Sequence, residues 1–258
     1  MSVQTNGVKS DIKQWYPSRI LDKNGGDKKF CLIVLNQPIV HLEAFDRLWS
    51  NASYKFFADG GANRVFDTFK HDKALLERYT PTEIRGDLDS LRPEVREYYE
   101  SKNIKITRVT CQDTTDFQKC VALMHEKEEK DGQIYDLVAV PALGGRFDQT
   151  ISNINMLFQL RDDTDRRVIL ISDENLTMLL DKGTHHIHCQ LDLEGPTCGI
   201  LPMGTSVTLT TKGLKWDMDQ LYCSFGGIIS SSNSVVNDLV EVTADAPAVW
   251  TIELNLPK

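Results

Sequence analysis

The chain has 258 residues, 41% of them hydrophobic and 26% charged, and carries a net charge of −8. That length allows one large domain or two modest ones, and the acidity argues against a general nucleic-acid binder, which carries a basic face. No apolar run reaches the roughly 18–20 residues of a membrane-spanning helix, and residues 1–29 lack the apolar core of a signal peptide.

In chain order, residues 1–29 read as a polar, loosely ordered leader. FCLIVLN (Phe30–Asn36) predicts a buried strand, followed by a helix over EAFDRLWSNA (Glu43–Ala52). YKFFA (Tyr54–Ala58) predicts the second strand and ANRVFDTFK its helix. RPEVREYYESK (Arg92–Lys102) has helical character, with Ser90 as its expected N-cap and Pro93 in its first turn. IKITRVT (Ile104–Thr110), YDLVAV (Tyr135–Val140) and RVILIS (Arg167–Ser172) are further strands, with helical patterns over DFQKCVALMHEKEEK and DQTISNINMLFQL between them. This alternation predicts a mostly parallel, Rossmann-like α/β domain over residues 30–175. Beyond it the helical period disappears. HHIHCQLDL, SVTLTTKGLKW, QLYCSFGGIISSS, LVEVTAD and AVWTIELNL are short β-type runs between turn residues, which predicts a β-sandwich or barrel over residues 176–258.

In an open parallel sheet, ligands bind beyond the carboxyl ends of the strands. ADGGANR, GDLDS, CQDTTDFQK and LGGRFDQ all sit there, and they bring Asp59, Asp87, Asp89, Asp113, Asp116 and Asp148 to one rim with Gly60, Gly61, Gly144 and Gly145. Each Asp or Gly alone is an ordinary cap or turn residue. Their convergence is less ordinary, because several carboxylates in a small volume repel one another unless a cation joins them, and all-oxygen ligands favour magnesium or manganese. Lys119, one turn after Asp116, and Arg146, beside Gly144 and Gly145, add positive charge. Together these groups suit a magnesium–polyphosphate site that is neither a P-loop nor a dinucleotide fingerprint.

Rival readings fare less well. Arg85-Gly86-Asp87 spells an adhesion signal, but six scattered cysteines without a CxxC pair suit reduced thiols in a cytoplasmic protein. THHIHC offers His185, His186, His188 and Cys189 for zinc, yet no second cluster completes a tetrahedral set, and a polar strand is the simpler account. For Trp216 and for the run Ser230 to Asn233, core packing and a solvated turn are the plain alternatives.

The motifs DGGANR, GDLDSLRPEVREYY, QDTTDFQKC, LGGRFDQ, GLKW and FGGIISSSN, in this order from about Cys31 to Trp250, resemble the thiamine pyrophosphokinases. The resemblance implies transfer of pyrophosphate from ATP to the hydroxyethyl oxygen of thiamine, giving thiamine diphosphate and AMP. It implies magnesium on Asp87, Asp89 and Asp116, supported by Asp59 and Asp148. Phosphate contacts would come from Gln112, Thr115, Lys119 and Arg146, with Gly60, Gly61, Gly145 and Gln149 in the same nucleotide loops. Trp216, Ser230, Ser232 and Asn233 would lie near the vitamin, in a homodimer whose sites are shared between subunits, with no nucleic acid or membrane as partner. The alternatives are a magnesium-dependent phosphohydrolase, a pyrophosphokinase acting on another alcohol, and a non-catalytic nucleotide or thiamine diphosphate sensor.

Overall fold

The computed structural model describes residues 12–23, 29–162 and 166–256. Two compact bodies divide them: residues 18–178 with 254–256, and residues 179–253 with 12–17. The chain first forms β1 (Lys13–Trp15), which belongs to the second body.

In the first body, β2 (Phe30–Val34) is buried at every residue, as suits a strand covered on both faces. There follow α1 (Leu42–Asn51), β3 (Tyr54–Ala58), α2 (Gly61–Phe69), a short α3 (Lys73–Arg78), β4 (Glu83–Gly86), α4 (Pro93–Ser101), β5 (Lys105–Arg108) and α5 (Asp116–Asp131). Then come β6 (Asp136–Val140), α6 (Phe147–Gln159), β7 (Val168–Ile171) and β8 (Asn175–Leu180). The strand order is β8-β7-β6-β2-β3-β4-β5, parallel throughout except for the antiparallel β7–β8 pair. The chain steps outward from β2 to β5 and then returns to the other flank of β2 as β6. The loops leaving β2 and β6 therefore run apart, which opens a crevice at the carboxyl edge. A ring cluster of Phe45, Trp49, Phe69 and Tyr79 packs α1 against its neighbours.

The second body is all β: β9 (Gly183–His188), β10 (Glu194–Leu201), β11 (Val207–Lys212), β12 (Leu221–Cys223), β13 (Ser230–Ser234), β14 (Leu239–Ala244) and β15 (Ala248–Leu254). One sheet runs β1-β9-β14-β11-β12, and β13, β10 and β15 lie side by side in that order. Alternating burial along β11 and β14 gives each strand one core face and one exposed face, as a sandwich requires.

Three expectations need correction. The leader is not loosely ordered over residues 12–23. There β1 pairs in parallel with β9, Trp15 Nε1 donates to His185 Nδ1 at 3.0 Å, and Asn51 Nδ2 donates to the carbonyls of Ile20 and Asp22 around a 3-10 turn (Pro17–Leu21). An edge strand borrows its order from its partner, so composition alone conceals it. Residues 1–11 and 24–28 lie outside the described residues. Second, Ser90 is not the cap of α4; Arg92 holds that position, with Pro93 as the first helical residue. Third, the Ser/Asn run is no solvated turn: Ser230–Ser234 is β13, paired with β10.

Candidate active site

A cleft of about 380 Å³ lies beyond the carboxyl edge of the α/β sheet. Every strand from β2 to β6 contributes the residues that follow it: Asn36 and Gln37; Asp59 and Gly60; Asp87, Asp89 and Ser90; Thr115 and Asp116; Arg146, Gln149 and Asn153. This is the crevice that the strand order opens.

Asp59, Asp87 and Asp116 converge there, each with a carboxylate oxygen within 4.8 Å of the others. The backbone permits this closeness at Gly86. A Cβ at that position would lie 2.6 Å from Asp59 Cβ and 3.1 Å from Asp116 Oδ1. The loop after β4 is tied to three neighbours. Ser90 N donates to Asp59 Oδ2 at 3.1 Å, Asp87 N donates to Asp116 Oδ1 at 3.1 Å, and Asn63 on α2 bonds the Ser90 carbonyl and the Arg92 amide. Leu88, between the two loop aspartates, sits at φ +65°. For a branched-chain side group that conformation costs on the order of 1 kcal/mol.

Asp59 is the buried member, 2% exposed, and its Oδ1 has no hydrogen-bond partner. Burial, with the charges of Asp116 and Asp87, pushes its carboxyl up to about 6 against the Ser90 amide. Lys119 supplies the opposite charge: its Nζ lies 3.0 Å from Asp116 Oδ1 and 3.4 Å from Asp87 Oδ2. Burial works to lower the Lys119 ammonium, but the hydrogen bonds and charges of the two aspartates outweigh it and hold it above its usual value. Burial likewise works to raise Asp87, and the Asp89 amide and Lys119 bring it below the ordinary carboxylate range.

The other sequence candidates divide. Asp89 lines the cleft, exposed, its amide on Asp87 Oδ1 and its Oδ1 accepting from Ser90 Oγ at 3.0 Å, but it stands outside the close triad. Gly60 caps α2 and Gly61 begins it; a Cβ on Gly61 would come 2.3 Å from the Val34 carbonyl oxygen, so the helix can start this near β2 only with glycine. Thr115 lines the cleft but spends its hydroxyl on a capping box with Gln118 at the start of α5. Arg146 and Gln149 line it, and Gly145, at φ +64°, rests against Gln37. Asp148 does not join the cluster. It is exposed and its Oδ2 accepts from Arg146 Nη2 at 2.6 Å, a solvent-facing pair of little energetic weight. Gln112 and Asp113 are exposed on the approach to α5 and are not among the cleft residues. Asn36, Gln37 and Asn153 were missed. The first two lie two and three residues past the end of β2, so the carboxyl-edge rule applied to that strand as well would have found them.

In the β body, Trp216 is 56% exposed, Asn233 is buried, and Ser230 and Ser232 lie on β13. The rival readings also receive a structural answer. Arg85 is buried in β4 and pairs with Glu83 and Glu126, so the adhesion tripeptide is not presented. His185 is engaged by Trp15 and by the Asp181 carbonyl, and His186 and His188 face Gln14. Among the described residues, the only His/Cys/Asp/Glu cluster with metal-ligand spacing is the aspartate triad.

Comparison with known proteins places these two bodies together in one family. Residues 45–170 match the thiamin pyrophosphokinase catalytic domain, and residues 184–249 match the thiamin pyrophosphokinase vitamin B1 binding domain. The chain belongs to the thiamine pyrophosphokinase family. It is 43% identical over 238 residues to thiamine pyrophosphokinase 3 of Oryza sativa subsp. japonica, covering 88% of this chain and 87% of that one. Thiamine pyrophosphokinase 1 of Arabidopsis thaliana is 38% identical over 244 residues, covering 91% and 90%. The yeast thiamin pyrophosphokinase structure superposes with a TM-score of 0.85 at 26% identity, covering 98% of this chain and 94% of that one. The Candida albicans thiamin pyrophosphokinase gives 0.82 at 28%, covering 94% and 93%. The catalytic-domain match contains the whole aspartate triad, and the vitamin-domain match contains Trp216 and β13.

Proposed function

We propose that the chain transfers the terminal pyrophosphoryl group of ATP to the hydroxyethyl oxygen of thiamine, producing thiamine diphosphate and AMP. The observation that carries this reading is the convergence of Asp59, Asp87 and Asp116 at the crevice of the sheet, with one buried carboxylate oxygen left without a partner. An all-oxygen donor set of that kind fits magnesium. Asp87, Asp116 and Asp59, with Asp89 beside them, would hold the ion, and when bound it would neutralise charge on the phosphate oxygens.

The chain's own groups do the rest. Lys119 holds Asp87 and Asp116 close together through its two ion pairs, so the acidic face is already formed before substrate arrives. Arg146 and Gln149, at the start of α6, reach the triphosphate, and the exposed glycine turn at Gly144 and Gly145 beside them lets its oxygens come close to the backbone. A carboxylate at Asp87 or Asp89 within reach of the thiamine hydroxyl would accept its proton as the oxygen attacks the β-phosphorus, and AMP departs. Thiamine carries a permanent positive charge, which an indole face attracts; Trp216, with Ser230, Ser232 and Asn233 nearby, is the receiving surface.

Two copies pair in this reading, with each site shared between subunits. The exposed apolar side chains Trp216, Tyr222, Phe225, Ile228 and Ile229 support such pairing, because a solitary β body would leave them in water. A reducing, cytoplasmic setting suits the unpaired cysteines, five of which are buried. Among the described residues, no helix is long and apolar enough to cross a membrane.

The test is incubation with magnesium, ATP and thiamine, followed by separation of nucleotides and thiamine esters. AMP and thiamine diphosphate appear together and vanish in a folded Asp87→Asn/Asp89→Asn variant. ADP with thiamine monophosphate would mean that the wrong phosphorus is attacked. ATP binding without any thiamine-dependent product would replace the enzyme with a sensor.

A further inference from the structure

Trp216 combines a largely exposed indole with a backbone that is held from two sides. Asn233 Oδ1 accepts from Trp216 N at 3.2 Å, and Asn233 Nδ2 donates to Trp216 O at 2.9 Å. Asn233 is only 5% exposed, and the rest of its amide is spent on its own strand: Oδ1 also accepts from Ser234 N at 2.9 Å, and Nδ2 also donates to Ser230 Oγ at 3.4 Å. On the other flank, Asp217 accepts from the amides of Gly213 (3.2 Å) and Leu214 (3.0 Å) and from Thr211 Oγ1 (3.1 Å). Lys215 N donates to the Ser234 carbonyl at 2.8 Å, which fixes the same loop to β13. The ring also draws a cation: Lys215 Nζ lies 4.7 Å from its centroid.

An exposed turn does not need this much internal bonding to stay soluble. The arrangement has the form of a preorganised platform, in which the ordering of a large side chain is completed before a ligand arrives. We infer that Asn233 and Asp217 are positioning residues: they fix Trp216 so that its indole face meets the thiazolium, and Asn233 does not itself contact the vitamin. The inference rests on the thiamine reading above and changes it at one point. Both polar atoms of Asn233 are already engaged within the chain, so its effect on thiamine passes through the tryptophan. Asp217, which no sequence motif singled out, shares the task.

Steady-state kinetics and fluorescence test this together. In Asn233→Ala and in Asp217→Asn, the KM for thiamine rises about tenfold, the loss expected from having to order one side chain on binding. The KM for ATP changes little, and kcat falls far less than the KM for thiamine rises. In the ligand-free protein, the Trp216 emission, taken as the difference from Trp216→Phe, shows lower anisotropy in both variants. In a Trp216→Ala background, Asn233→Ala adds nothing further to the KM for thiamine. A full additive effect in that background would make Asn233 a direct contact and overturn the inference. Unchanged anisotropy in both variants would overturn it as well. Anisotropy needs no substrate, so it decides the positioning role even if the protein forms no thiamine-dependent AMP, a result that would count against the proposed reaction instead. Asp217→Asn keeps the test decisive if Asn233→Ala does not fold.

Discussion

Asp59 and Lys119 carry opposite halves of one electrostatic problem. Three carboxylates within 4.8 Å repel one another, and a single buried ammonium offsets two of them, leaving Asp59 with an unpartnered oxygen. Removing the ammonium exposes the repulsion. Lys119→Met is expected to lower stability by about 1–3 kcal/mol, below the usual loss for breaking a fully buried pair because both aspartates are partly solvated. That corresponds to a fall of several degrees in Tm, and with the magnesium site proposed above, added magnesium should recover part of it by replacing the missing charge. Calorimetry with and without magnesium checks this; an unchanged Tm would mean that Lys119 does not hold the cluster. Gly86 controls the same site through space. The 2.6 Å approach of Asp59 Cβ leaves no room for a methyl group, so Gly86→Ala must push the carboxylates apart. The magnesium concentration for half-maximal activity should rise by about tenfold or more, as displaced ligand geometry usually costs. Manganese binding, followed by electron paramagnetic resonance without nucleotide, gives an independent readout.

At the scale of elements, legibility followed burial. β2 and β6 are covered on both faces and read as continuous apolar runs, so their positions were plain. β4 was not, because its four residues include Glu83 and Arg85, a buried ion pair whose partners only tertiary structure supplies. β10 contains Gly195, Pro196 and Gly199, which look like turn residues in one dimension. α3 is too short at six residues to establish a period. β1 depends on β9, and that dependence has a pH signature. Burial, aided by the charge of Lys13 and opposed by the Asp181 carbonyl, lowers the His185 pKa from 6.5. The folded state therefore keeps the imidazole neutral while the unfolded chain takes up a proton near pH 6.5. Stability is fully present above that pH and is lost as pH falls towards the lowered folded value, by at most about 1.4 kcal/mol per pH unit. Thermal unfolding between pH 7.5 and 5.5 should show this slope, and His185→Phe should flatten it. Equal slopes in both proteins would assign the dependence to other groups.

At the scale of the whole molecule, the β body leaves a set of apolar side chains uncovered within one chain. Phe225 is 66% exposed and Ile228 56%, values that a monomer pays for in solubility. A homodimer burying them would lose its interface in Ile228→Glu. Sedimentation should then give a species of half the mass, and, with each site shared as proposed above, thiamine-dependent AMP formation should fall with it. A variant that stays dimeric and active would place the interface elsewhere.

The sequence by itself determined the α/β-then-β order and the four carboxylate-bearing loops, and its six ordered motifs carried the resemblance to the family. The order and the loops depend on local period and on residues that must follow a strand, and both are written along the chain. Tertiary structure alone decided which aspartates meet. Asp59 joins Asp87 and Asp116 across Gly86, while Asp148 turns to Arg146 and Asn233 turns to the Trp216 backbone. A motif places a side chain on a loop. Only the packing of neighbouring strands and helices fixes the ångströms between one loop and the next, and the charge balance of the site depends on those distances.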